Sequence, residues 1–179
     1  MKHKINILLT RFPDNGSKVI SFFKKTFYTH VSIGLEEDLN TFYSFVWKGF
    51  IVEKVTRYIK PDKEPYPCRM YELEVSENTY EAIKNILFDF ESNKSIYHYA
   101  KLGVVLGVIR IPLKQKNRYF CSQFVAEVLG RSKAIQLKKD SVLYFPGDFN
   151  KLTEASLTFQ GNLRDFVNRY GLSTATICV

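Results

Sequence analysis

Cysteine is scarce in this chain. Its 179 residues include three, Cys68, Cys121 and Cys178. An odd count without C-x-x-C spacing argues against a disulfide framework and against a zinc site. The sequence therefore predicts reduced thiols, no metal and a cytosolic setting. Histidine is as sparse, at His3, His30 and His98. Long apolar runs are missing too. The stretch 102–109 ends at Arg110, whereas a membrane span needs about 20 apolar residues. It is expected to be a buried helix or an interfacial segment. The N-terminal run 5–9 lacks the length and cleavage site of a signal peptide and reads as a buried first strand, so the expected location is cytoplasmic. No internal repeat or low-complexity tract appears.

Acidic residues are fewer than basic ones, 18 against 26, for a formal charge of +8. Such a balance favours anionic surroundings: a charged substrate, a membrane surface or nucleic acid. The basic residues are scattered, densest at 18–27 and 136–140. No RNA-recognition or zinc-finger pattern accompanies them, and no interleaving of basic and aromatic residues. No specific nucleic-acid partner is predicted. A solvated basic face is the default reading, with weak association to an anionic surface compatible with it.

What the chain has is core material: 45% hydrophobic residues, fifteen Phe and eleven Tyr. That suffices for one domain over 1–179 without staples. Strands are predicted at 4–11, 29–35, 41–47, 50–55 and 68–75 from β-branched and aromatic runs between polar turns. The turn signal at 13–16 precedes a helical pattern to about residue 27. Ser76 reads as an N-cap for a helix over 77–92, with apolar residues at Tyr80, Ile83, Leu87 and Phe90 and a Val75–Tyr80 staple. Further helices are predicted over about 96–109 and 118–130, then a loop at 144–149 and short elements to 170. Strands mostly precede helices, which indicates an α+β fold rather than alternating β/α units.

Cys121 opens the 118–130 helix. Its neighbours Val125 and Val128 are apolar, and cysteine is among the most buried residue types, so a plain core role competes with a chemical one. A first-turn cysteine, however, feels the positive end of the helix dipole, and backbone N–H groups there can stabilise an oxyanion. His30 starts a strand of apolar residues (Val31, Ile33, Leu35), where a histidine is either a bonded core residue or a group placed to act. His3 lies near the terminus, and His98 fits a helix surface. A Cys–His dyad wants a third group to fix the imidazole. A 29–35/41–47 hairpin centred on Glu37 would set Ser44 opposite His30. Tyr43 and Glu53 are the other candidates.

The blocks T-H-V-S-I-G-L, F-Y-S-F and F-C-S-Q-F-V-A-E-V-L, in that order, resemble the circularly permuted papain-like hydrolases of the NlpC type, the YiiX-like amidase or peptidase group. In that group the histidine strand precedes the cysteine helix. The stretches Y-H-Y-A-K-L-G-V-V-L-G, P-G-D-F and F-Q-G-N-L-R-D-F extend the likeness over most of the chain. The resemblance implies an antiparallel sheet packed on a nucleophile helix, with Cys121 as nucleophile, His30 as general base and no cofactor. Its third polar residue is commonly His, Glu, Asn or Gln on the following strand; here that strand offers Ser44 and Tyr43. The implied activity is cleavage of an amide in a small peptide, amino-acid conjugate or acyl-amide through a thioester. The competing readings are a thiol acyltransferase or lipid-modifying enzyme of the same fold, and a binding module without catalysis.

Overall fold

In the computed structural model, residues 1–12 and 27–172 are described. The turn at 13–16, most of the helix expected after it, and Cys178 lie outside them. The described residues build an α+β fold around a six-stranded antiparallel sheet of order β4-β3-β2-β1-β5-β8. The strands are β1 (Lys2–Thr10), β2 (His30–Leu35), β3 (Thr41–Val46), β4 (Gly49–Lys54), β5 (Pro67–Ser76) and β8 (Ala155–Asn162). Among the described residues four helices follow the first five strands: α1 (Glu77–Ser92), α2 (Lys101–Val108), α3 (Cys121–Arg131) and α4 (Leu163–Arg169). Two short strands, β6 (His98–Tyr99) and β7 (Arg118–Tyr119), pair in parallel as a separate sheet.

β1 is central, and residues 5–10 are all buried because both faces of the sheet are covered. On one face Ile5, Ile7, Leu9, Val31, Ile33, Phe45 and Phe50 share a core with α1 and α3. On the other, Leu8, Phe42, Cys68 and Met70 pack with Leu163, Phe166 and Val167 of α4. Strand alternation divides the apolar residues between two cores in this way. Phe90 anchors the first core: its ring meets those of Phe45, Phe50, Tyr97, Tyr119 and Phe124 at 4.4–6.0 Å between centroids. Burying one such ring contributes about 2–3 kcal/mol.

α1 begins where its cap residues place it. The Ser76 hydroxyl accepts from the Thr79 backbone N–H at 3.3 Å, and the buried face is Tyr80, Ile83, Leu87 and Phe90. His3 is tied down rather than loose at the terminus: its ring bonds Glu36 and Glu77 and stacks on Tyr80. The helix expected over 96–109 is shorter. Residues Lys94–Ile96 form a 3-10 turn, and His98 and Tyr99 leave the helical path to pair with Arg118 and Tyr119. His98 is thus an exposed strand residue. Among the short elements expected over 150–170 is an eight-residue strand, β8. It is an edge strand with mostly exposed side chains, so it carries little periodic apolar signal.

The β2–β3 hairpin departs from the predicted register. Ile33 pairs with Tyr43, so the turn centres on Asp38 rather than Glu37. Asp38 sets this turn with its own side chain, accepting from the Asn40 N–H at 2.8 Å, from the Thr41 hydroxyl and from Lys54. An Asx turn of this kind fixes which residues face each other beyond it.

Gly49, in the β3–β4 turn, has φ 109°, and a Cβ there would stand 2.5 Å from the Tyr97 carbonyl oxygen. The position needs glycine both for its left-handed backbone and for close approach. Gly49→Ala is expected to cost about 2–4 kcal/mol, read as a lowered urea midpoint without a change in slope.

Candidate functional site

Cys121 is the first residue of α3, with Phe120 at the N-cap position in extended conformation. No side chain caps this end. First-turn N–H groups have no intrahelical acceptor, so here they stand beside the thiol as donors suited to a developing negative charge. α3 is held by a buried inner face of Phe124, Val125, Val128 and Leu129 against β2 and β3. Ser122 fastens the same turn from within, donating to the Tyr144 carbonyl at 2.7 Å. The helix thus delivers Cys121, 3% exposed, to the start of β2.

His30 begins that strand and is buried. Its imidazole lies beside the Cys121 thiol and hydrogen-bonds the Glu53 carboxylate. The Nε2–Oε1 distance to Glu53 is 3.3 Å. Glu53 stands on β4, opposite Phe42 of β3, so the two side chains meet across the intervening strand. The second carboxylate oxygen accepts from the Tyr58 hydroxyl at 2.8 Å. Tyr58 comes from the 3-10 turn Val55–Tyr58 directly after β4. The Ser32 hydroxyl faces the same carboxylate without completing a hydrogen bond. Phe12 closes the site: its ring lies 5.3 Å from His30, 4.9 Å from Tyr58 and 5.1 Å from Tyr66.

Burial opposes charge on both members of the pair, yet their mutual attraction prevails. For His30, desolvation is outweighed by the Glu53 carboxylate, by the neighbouring Cys121 thiol and by the hydrogen bond to Glu53, and its pKa is pushed up to about 10. For Glu53, desolvation is outweighed by the His30 cation and by the bonds from His30 and Tyr58, which hold it below the ordinary carboxylate range. A charged imidazolium has two N–H donors, one for each neighbour. The arrangement is a contiguous thiol–imidazole–carboxylate chain.

The structure brings Cys121 and His30 together as the sequence pairing requires. It does not bring Ser44 to the imidazole. In the observed register Ser44 is displaced from His30, and its hydroxyl donates to the Val31 carbonyl at 2.7 Å. Tyr43 packs toward the core with Phe50. Of the three candidates for the orienting group, Glu53 occupies the place. Its signal in the sequence is a carboxylate inside an otherwise apolar and β-branched strand, where burial demands a partner. Tyr58 and Phe12 carried no such signal. Cys68 is fully buried among Leu8, Met70, Phe159 and Phe166, and desolvation, with Asp165 adding to it, pushes its thiol up to about 12. Among the described residues no group of three His, Cys, Asp or Glu is placed to hold a metal ion, and no helix is long and apolar enough to cross a membrane. No family model matches the chain, and no curated protein is significantly similar to it in sequence.

Two measurements follow from this geometry. Ser44→Ala removes one buried hydrogen bond and is expected to cost about 1–2 kcal/mol of stability, with the alkylation rate of Cys121 unchanged. The pair also makes stability depend on pH. His30 binds its proton more tightly when folded, so its contribution is complete below its ordinary value of 6.5 and is lost as pH rises through about 10. Glu53 contributes above its ordinary value of 4.5, and that part is lost as pH falls through its lowered folded value. The urea midpoint of the wild type is expected to fall between pH 6.5 and 10, and Glu53→Gln to flatten that fall.

Proposed function

We propose that the protein is a cysteine-nucleophile hydrolase of the permuted papain-like, NlpC-type architecture. Its substrate class is an amide: a small peptide, an amino-acid conjugate or an acyl-amide. The observation that carries this reading is the buried chain Cys121–His30–Glu53 at an uncapped helix N-terminus. A structural cysteine requires no imidazole beside it, and a core histidine requires no thiol.

The roles follow from the contacts. His30 holds the proton given up by Cys121 as an imidazolium, and Glu53 orients the ring and balances that charge. The Cys121 sulfur attacks the carbonyl carbon, and the carbonyl oxygen takes up negative charge near the α3 N–H groups. On collapse the C–N bond breaks, the amine leaves with the proton from His30, and an acyl thioester remains. Water attacks the thioester with His30 accepting its proton, and the acid is released with the thiol restored. Transfer of the acyl group to another acceptor is the second reading, favoured by the apolar face that α2 presents to solvent.

Alkylation by iodoacetamide tests the dyad. At neutral pH Cys121 is expected to react about 10²-fold faster in the wild type than in His30→Ala, with peptide mass mapping to assign the site. Cys68, buried and raised in pKa, stays unmodified and serves as internal control. Glu53→Gln, assayed at a temperature where its thermal melt shows it folded, is expected to reduce turnover on the amide that serves as substrate by about 10²–10⁴-fold. A Cys121 that is inert in the folded wild type, or equally reactive with and without His30, would sink the reading and leave a binding module on this fold.

A further inference from the structure

α2 packs the wrong way round for a helix that serves its own core. Its buried face is Gly103, Val104 and Gly107. Its larger side chains point outward: Leu102 and Val105 are each about half exposed, as are Ile109 and Ile111 in the extension that follows. Positions 102, 105 and 109 fall at i, i+3 and i+7 on one helical face. The glycines explain the close seating. A Cβ at Gly107 would stand 3.0 Å from the Val142 carbonyl oxygen and 3.3 Å from the Phe145 ring. The helix therefore uses small residues to pack and leaves aliphatic ones in water. Single exposed hydrophobics are ordinary, but four within ten residues of chain are a patch that calls for a partner.

The charge around this patch indicates which partner. Between Glu91 and Glu127 the sequence holds no acidic residue, while Lys94, Lys101, Arg110, Lys114, Lys116 and Arg118 all fall there. Lys101 and Arg110 flank the apolar face at its two ends and make no ion pair among the described residues. Trp47, in the β3–β4 turn, extends the patch: it is half exposed, its ring is 5.0 Å from that of Tyr99, and Lys101 lies 5.2 Å over it. Lys114 pairs with Glu127 and Asp140, but cations still outnumber acids around the face. Aliphatic side chains, one tryptophan and this cationic excess match the interfacial region of an anionic bilayer. A protein partner able to cover the same face would need an acidic rim; a lipid surface supplies apolar depth and negative charge together.

We propose that the α2 face, with Trp47 and the surrounding lysines and arginines, docks on an anionic lipid surface. Docking is peripheral: side chains enter the headgroup region and no segment crosses. Phe120, the residue before Cys121, packs beneath α2, so docking sets the Cys121 end of α3 close under the bound face. The inference stands apart from the proposed hydrolysis, because binding needs no reaction.

The test is co-sedimentation of the full chain with phosphatidylcholine vesicles and with vesicles in which roughly one third of the lipid is phosphatidylserine. Cys121→Ala is run in parallel, so that binding is read without any turnover. The expected result is pelleting with the anionic vesicles, about tenfold weaker with neutral ones and weakened by salt. Trp47 is the chain's single tryptophan, and its emission is expected to shift to the blue on binding. Val105→Asp and Ile109→Asp, each checked for an unchanged thermal melt, should abolish the binding. Leu157→Asp, at an exposed position on β8, should leave it intact. Absence of pelleting with either vesicle, equal pelleting with both, or equal loss in Leu157→Asp overturns the proposal. So does a dimer in sedimentation that Val105→Asp dissolves, which assigns the face to a second copy of the chain.

Discussion

The buried His30–Glu53 pair is the constraint around which the rest is arranged. Removing two ions from water costs several kcal/mol for each, and the cost is recovered only with good geometry and full hydrogen bonding. The protein meets both demands. Tyr58 takes the second carboxylate oxygen, Cys121 lies beside the imidazole, and Phe12 covers the ring. Each partner comes from a different part of the chain: the segment just after β1, the turn after β4 and the start of α3. The pair therefore ties three connections to one point. It also explains why the β2–β3–β4 unit cannot slip, since a shift of one residue would turn Glu53 to the other face and strand His30 uncompensated.

The sheet divides labour between its faces. The face under α1 and α3 is a dense aromatic core in which Phe45, Phe50, Phe90 and Phe124 interlock. It fixes α3 as a rigid body, and with it the position of a thiol whose partner lies on a strand 91 residues earlier. The face under α4 is smaller and closes over Cys68 and Met70. The two thiols of the described chain consequently differ in kind. One is sealed among apolar side chains, and the other sits at a helix end beside an ion pair.

Much of this was legible from the sequence, for identifiable reasons. α1 carried a capping serine, an acidic first turn and a strict apolar period, and each signal pointed to the same boundary. β1 to β5 were bounded by polar turns. Cys121 and His30 stood out because a first-turn cysteine and a histidine in an apolar strand both need explaining. The third site residue was hidden by register. Asp38 bonds Asn40 and shifts the turn by one position, which moves Ser44 away from His30; pattern alone cannot weigh that against a symmetric loop. β6 and β7 escaped because two-residue strands have no period, and their parallel pairing joins His98 and Tyr99 to residues twenty positions later. β8 escaped because an exposed edge strand has no apolar face to alternate.

That small parallel pair has a consequence for how such a chain can change over time. His98 and Tyr99 on one side, and Arg118 and Tyr119 on the other, form a stem that closes the whole excursion through α2. The stem ends two residues before Cys121. The inner face of that excursion is fixed by its packing on Phe120, Val142 and Phe145, whereas its outward side chains can be exchanged without altering the path from the sheet to α3. A framework of this kind keeps the Cys121–His30–Glu53 cluster in place while the outward surface is free to diversify.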